Sequence, residues 1–193
     1  MNIIEYIKDL GFRWDKHQNL DELNEIRSPQ FISYRDVNNV LLMFESEWSE
    51  QNAHIIAMGK ALEADGKRVI YCMYVAKKQA ITTTLPQRIV IDLEHVNFFG
   101  RPDPLTIAQL EETHYDILID LTKFACRPMR YVLLHANAST RCGIKGEKDS
   151  FYDLKIDLGS KMQAVAEDVP EPTEEEMATE LFKHIHHYLK SFK

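Results

Sequence analysis

Four short apolar runs and a fifth, mixed segment constrain this chain more than anything else in it. They are NVLLMFES (39–46), RVIYCMYV (68–75), RIVIDLE (88–94), DILIDLT (116–122) and TRCGIK (140–145). The first two are apolar at consecutive positions rather than alternate ones. A strand of that kind has to be covered on both faces, which a parallel sheet with helices above and below provides. Helical segments lie between the runs. One is expected over about 49–65, with Ser49 at the N-cap and Gly66 at C′. Another opens at Asp103-Pro104, an N-cap followed by proline at N1. A third opens at Pro128, with Met129, Val132, Leu133 and Ala136 at i, i+3, i+4 and i+7. Strand, helix and strand joined by short links make βαβ units, right-handed by the general rule. The link 76–87 is short and polar and predicts no helix. The expected fold is therefore α/β: a single Rossmann-like, mostly parallel sheet flanked by helices.

The ends of the chain read differently. Residues 1–35 form an expected helical N-terminal extension. Ile3, Ile4, Ile7 and Leu10 recur at helical spacing, Gly11 reads as a stop, and Leu20, Leu23 and Ile26 mark a second short helix. These helices either pack on the main domain or serve a protein partner or homodimer. The main domain spans 36–193. In YDLKIDL (152–158), Leu154, Ile156 and Leu158 alternate with Lys155 and Asp157, which suits a half-exposed edge strand whose charges discourage edge-to-edge pairing. The acid- and proline-rich AEDVPEPTEEE leads into a closing helix bearing Met177, Leu181, Ile185, Tyr188, Leu189 and Phe192 on one side. Its glutamates cluster at the start and Lys190 and Lys193 at the end, complementing the helix dipole.

A chain of 193 residues suits one large domain. Its net charge of −7 opposes general nucleic-acid binding. Three cysteines, Cys72, Cys126 and Cys142, make an odd number with no CxxC pair, as expected of a reducing compartment, here the cytoplasm. Glu5, Lys8 and Asp9 interrupt any apolar leader, and no uninterrupted apolar run is long enough to span a bilayer, so membrane insertion is not expected.

Within an acidic chain, residues 122–148 carry six basic residues against one acid: Lys123, Arg127, Arg130, Arg141, Lys145 and Lys148 against Glu147. In an open α/β sheet, ligands bind beyond the carboxyl ends of the strands, near a switch in strand order. That edge receives Glu45, Ser46, Glu47 and Trp48 after the first strand, and Lys77 and Lys78 after the second. It receives His95, Asn97, Phe98, Phe99, Gly100 and Arg101 after the third, and Lys123 and Arg127 after the fourth. Lys123, Arg127 and Arg130, gathered around the opening of the helix at Pro128, are the candidates for binding an anion; the alternative is that they are solvated or pair with local acids. Glu45, Glu47, His95, Asn97, Phe99 and Arg101 are the pocket candidates. Phe98 and Phe99 either cap the core or line the pocket.

Other chemistry is absent from the pattern. The seven glycines form neither GxGxxG nor a P-loop, and the first strand runs into FESEWSE, whose carboxylates would repel phosphate. HExxH and GxSxG do not occur. In HIHH, His184 and His187 share a helix face without a nearby acid or cysteine, a poor zinc site. Neither a cofactor nor a metal is expected, and no catalytic residue is assigned.

YDILIDLTKFACRPMRYVLLHANASTRCGIKG (115–146) resembles a segment of heptosyltransferase-type glycosyltransferases, with its tyrosine–aspartate, apolar strand, helix, basic residue and GI. That resemblance implies a Rossmann-like sheet. Those enzymes have two such domains and hold the sugar nucleotide largely with the second, whereas this chain has room for one. They also carry a glycine and an acid just after the first strand, where ESEWSE stands here. The whole chain, through VNFFGRP, YDILIDLT, YDLKID and HHYLK, more closely resembles a family of short uncharacterised bacterial proteins, a domain of unknown function. The functional expectation is a non-catalytic binding or interaction module, half of a two-domain glycosyltransferase-like architecture. The alternative is an enzyme acting on an anionic small molecule such as a sugar phosphate, with Glu45 or Glu47 as base.

Overall fold

A computed structural model describes residues 3–26, 32–46, 52–76, 85–122, 126–146, 151–159 and 173–191. Six strands form one sheet: β1 (Asn39–Ser46), β2 (Arg68–Val75), β3 (Arg88–Asp92), β4 (Tyr115–Asp120), β5 (Ala138–Ile144) and β6 (Leu154–Ile156). Every pairing is parallel, and the order is β3-β2-β1-β4-β5-β6. The helices are α1 (Ile3–Ile26), α2 (Ala53–Ala64), α3 (Pro104–Glu112), α4 (Arg127–His135) and α5 (Glu174–Ser191). The expected α/β architecture is the one observed, and the short strand with alternating charges does lie at a sheet edge.

The continuous apolar runs are explained by the two cores. On β1, Val40, Leu42 and Phe44 join Ile55, Met58 and Leu62 of α2 and Leu181, Phe182, Ile185 and Leu189 of α5. Leu41 and Met43, the intervening residues, join Leu110 of α3 and Met129, Val132 and Leu133 of α4 on the opposite face. Period-two alternation thus sends successive side chains into different cores, and both have to be apolar. The close approach of α2 to the sheet depends on Gly59, because a Cβ there would land on the Tyr71 hydroxyl of β2.

Local capping follows the sequence in part. Asp103 caps α3 by accepting from the Thr106 amide at 2.9 Å. Gly66 has φ +80° just past α2, as a C′ glycine should. The start of α2 is a correction: the helix begins at Ala53 behind Asn52, and Ser49 lies outside the described residues.

The N-terminal region corrects the sequence reading more deeply. One helix runs through Gly11 rather than two helices separated by it. Gly11 is small for a tertiary reason: a Cβ on it would meet the Phe99 ring at 2.5 Å. The apolar stripe is not the packing face either. Ile3, Ile7, Leu10 and Trp14 are exposed, and α1 instead inserts Phe12, fully buried, edge-on against Tyr131 of α4 with centroids 5.0 Å apart. At the far side of the molecule Asp65 fixes α5 to the end of α2, accepting from Tyr34 (3.0 Å) and pairing with His186 (2.7 Å) and Lys190 (2.8 Å).

Candidate functional site

The strand order reverses at β1. Leaving β1 the chain moves outward through β2 to β3, and then α3 carries it back to β4 on the other side of β1. Connections leaving the two central strands diverge, and a crevice opens at their carboxyl ends. A cavity of about 580 Å³ lies there, within the size range of small-molecule sites. Glu45 reaches it from the end of β1 and Tyr74 from the end of β2. Asn97 and Phe98 come from the loop after β3, Arg127 from the first turn of α4, and Lys8 from α1. Leu93, Val96, Cys126 and Pro128 complete an apolar wall.

The loop after β3 is built rather than floppy in its bonding. Asp92 accepts from the amides of Glu94 (2.7 Å) and His95 (3.1 Å) and pairs with the His95 ring at 2.7 Å. Burial works against ionisation of Asp92, but these bonds outweigh it and hold the carboxyl below its ordinary pKa. Beyond it, the Gly100 amide donates to the Asn97 carbonyl (2.9 Å), closing a tight turn with Phe98 and Phe99 at its corners. The Asn97 side chain accepts from the Phe99 and Arg101 amides at 2.9 and 3.0 Å. Gly100 sits at φ +80°, a conformation that glycine adopts freely. The two rings therefore project from the turn rather than cap the sheet. Phe98 faces the cavity and Phe99 packs over Gly11.

The cations of the site are shared with α1. Arg127 donates through Nη2 to Glu5 Oε2 at 2.9 Å, and Lys8 Nζ lies 3.4 Å from Glu5 Oε1. The Arg127 bond is the main reason the Glu5 carboxyl titrates below its ordinary range. Arg127 Nε is buried and has no hydrogen-bond partner among the described residues. Arg130 Nη1 lies 3.4 Å from Asp9, and the guanidinium rests 4.1 Å from the centre of the Phe12 ring. Lys8 Nζ also stands 5.6 Å from the Phe98 ring centre. Tyr74, mostly by burial and then by the neighbouring Cys126, Glu45 and Asp92, has its phenol pKa pushed upward and stays a hydrogen-bond donor.

Of the residues singled out from the sequence, Glu45, Asn97, Phe98 and Arg127 come together around this cavity. His95, Phe99 and Arg101 belong to the same loop but make other contacts: His95 with Asp92, Phe99 with Gly11, and Arg101 with Asp15 at 3.2 Å. Arg130 is directed at Asp9 and Phe12. Glu47 and Lys123 lie outside the described residues, as do Trp48, Lys77, Lys78 and Lys148. The basic run does not form one surface. Arg141 is buried in β5 and donates to the Ala136 carbonyl at 2.8 Å, and Lys145 pairs with Asp157 at 2.9 Å. Lys8 and Tyr74 carry no motif and were not singled out.

At the carboxyl end of β4, Asp120 is almost wholly buried. The Thr122 amide and hydroxyl donate to its Oδ1 at 2.8 and 2.6 Å, and the Tyr152 hydroxyl donates to Oδ2 at 2.5 Å. The Tyr152 ring covers Gly143 of β5 so closely that any Cβ there would enter the ring. On the outer side of α4, the His135 ring lies between Glu111 (2.7 Å) and Asp15 (3.5 Å), joining α1, α3 and α4. Among the described residues no three His, Cys, Asp or Glu side chains are grouped to hold a metal ion, and no helix is long and apolar enough to cross a membrane.

Comparison with known proteins adds a family and little chemistry. The model of a family described as "Family of unknown function (DUF6913)" matches residues 8–168. No curated protein matches the chain. Among solved structures, E. coli heptosyltransferase WaaC with ADP is similar at 15% identity with a TM-score of 0.46, over 76% of this chain and 46% of that one. The chain thus spans less than half the length of that enzyme.

Proposed function

Because the chain belongs to this family of unknown function, its role has to come from its own residues, and we propose that it is a binding module taking an anionic small molecule at the carboxyl edge of the sheet. One observation carries the reading. Lys8, Arg127, Asn97 and Phe98, drawn from three separated parts of the sequence, converge on a single cavity at the point where strand order reverses. Two cations supply charge for an anion, the Arg127 fork supplies direction, and Tyr74 and Phe98 supply faces for a planar or apolar body. The exposed stripe Ile3, Ile7, Leu10 and Trp14 is the surface on which a protein partner or second copy would attach.

A second reading, an enzyme acting on the same anion, is supported by Glu45, which lines the same cavity as the two cations. A thermal-shift screen with carboxylates, sugar phosphates and nucleotides tests both. A binding module gives a stabilising ligand that is recovered unchanged, and its stabilisation is lost in Arg127→Met when each protein is compared with its own ligand-free form. Turnover of the ligand, abolished by Glu45→Gln, would favour the enzyme. No stabilisation by any anion at millimolar concentration would refute the proposal.

A further inference from the structure

Building on the reading of the cavity as an anion site, we infer that its ligand is a carboxylate and that Glu5 is the protein's own occupant of the carboxylate position. Glu5 gives one oxygen to each of the cations that line the cavity, Oε2 to Arg127 Nη2 at 2.9 Å and Oε1 to Lys8 Nζ at 3.4 Å. The two cations are spaced to share the oxygens of one planar carboxylate. The geometry of the ligand group is thus already displayed by a side chain of the chain itself.

Glu5 is held there by little else. Its side chain is half exposed, and its neighbours Ile3, Ile4, Tyr6 and Ile7 are all exposed as well. The first fully buried residue of α1 is Phe12, almost two turns further on. Exposed ion pairs hold weakly, and the first turn of a helix lacks hydrogen-bond partners for its amides. Glu5 can therefore withdraw while Phe12 keeps α1 in place. An incoming carboxylate then takes both cations, and its body meets Phe98, Tyr74, Leu93 and Val96. The ligand class that fits is a small carboxylate carrying a planar or cyclic apolar group. Glu5 sets its affinity by competition, so weak carboxylates are excluded and the two cations are never left without a counter-charge.

The test uses benzoate, phenyl phosphate and benzyl alcohol as probes, titrated calorimetrically into the full chain and into Glu5→Gln. Amide shifts at Asn97, Phe98 and Arg127 locate the binding. Benzoate should bind Glu5→Gln about three- to tenfold more tightly than the unaltered protein, the gain from removing one exposed competing pair of contacts. Benzyl alcohol should show no such gain, and phenyl phosphate should bind more weakly than benzoate. Glu180→Gln, which removes the same charge from α5, should leave benzoate affinity unchanged. Equal benzoate affinity in the unaltered protein and Glu5→Gln would overturn the role of Glu5 while leaving the anion site standing. Failure of both anions to bind either protein would overturn the site itself. Because Glu5 is exposed, the substitution leaves the fold intact, which an unchanged melting temperature verifies.

Discussion

The bond between Tyr152 and Asp120 offers the sharpest test of how the site is supported. Asp120 ends β4 at the carboxyl edge of the sheet, and its oxygens receive the Thr122 amide and hydroxyl on one side and the Tyr152 hydroxyl at 2.5 Å on the other. Tyr152→Phe removes that hydroxyl and nothing else, because the ring keeps its place over Gly143. The carboxyl is almost fully buried, so water does not replace the lost donor at no cost. Losing a partner to a buried polar group costs about 1–3 kcal/mol. For a chain of this size, each kcal/mol moves the melting temperature by roughly 2–4 °C, so a loss of about 2 kcal/mol lowers it by ~4–8 °C. Urea denaturation followed by circular dichroism measures the same quantity directly. Asp120→Asn and the double substitution close a cycle, and the two changes should be non-additive by about 1 kcal/mol or more because the residues share one bond. Gly143→Ala should destabilise at least as much by displacing the ring, since forced overpacking costs ~1–3 kcal/mol. A Tyr152→Phe protein within about 0.5 kcal/mol of the parent, or strictly additive changes, would refute the claim that this bond braces the carboxyl end of β4.

Gly59→Ala should destabilise by about 1–3 kcal/mol, although alanine in a helix interior ordinarily gains ~1 kcal/mol over glycine, because its methyl group meets the Tyr71 hydroxyl. A chemical denaturation midpoint equal to or above the parent's would count against that contact. Asp65 carries a pH signature. Burial alone would raise its pKa, but the bonds from Lys190, His186 and Tyr34 outweigh burial and lower it from 3.8 to about 2. A folded-state pKa below the unfolded one stabilises above the unfolded value and is lost as pH falls through the folded one, at 1.36 kcal/mol per unit. Asp65→Asn should therefore cost about 1–2 kcal/mol at pH 7 and roughly half that near pH 3, and a cost independent of pH would exclude the mechanism.

The sheet was legible because its signal is local. Five consecutive apolar positions in NVLLMFES, Val40 to Phe44, admit no face for water, and only burial from both sides accommodates them. Asp103-Pro104 and Gly66 were readable for the same reason, since a cap depends on residues within one turn. Gly11 shows where such reading stops. Its composition context matches a helix end, and what decides otherwise is a phenylalanine 88 positions away whose ring needs the missing Cβ. The stripe Ile3, Ile7 and Leu10 shows a related limit, since it left open whether α1 packs on the domain or serves a partner. Helical periodicity identifies an apolar face but not what that face meets, and here Phe12 makes the contact from a different side of the helix. Glu45, Asn97 and Arg127 could be anticipated at one edge from topology alone. Lys8 could not, because α1 lies outside the alternating pattern on which that inference rests.

The concentration of base in an acidic chain has a geometric answer. Glu5 and Asp9 are one turn apart on α1, and Arg127 and Arg130 are one turn apart on α4. The two helices meet with these rows facing, Glu5 to Arg127 at 2.9 Å and Asp9 to Arg130 at 3.4 Å. Exposed pairs of this kind hold weakly, and the burial of Phe12 beside them, of the order of 2–3 kcal/mol, outweighs them. Phe12 thus supplies the adhesion between the helices, and the ion pairs set the rotation of α1 about its axis. That rotation brings Lys8, which lies between Glu5 and Asp9 in sequence, to the cavity wall opposite the opening of α4. Arg130→Asp places two carboxylates together at Asp9 and should lower the melting temperature more than Arg130→Ala, which removes the same contact with Phe12 without adding a like charge; equal losses would refute a part for the ion pair.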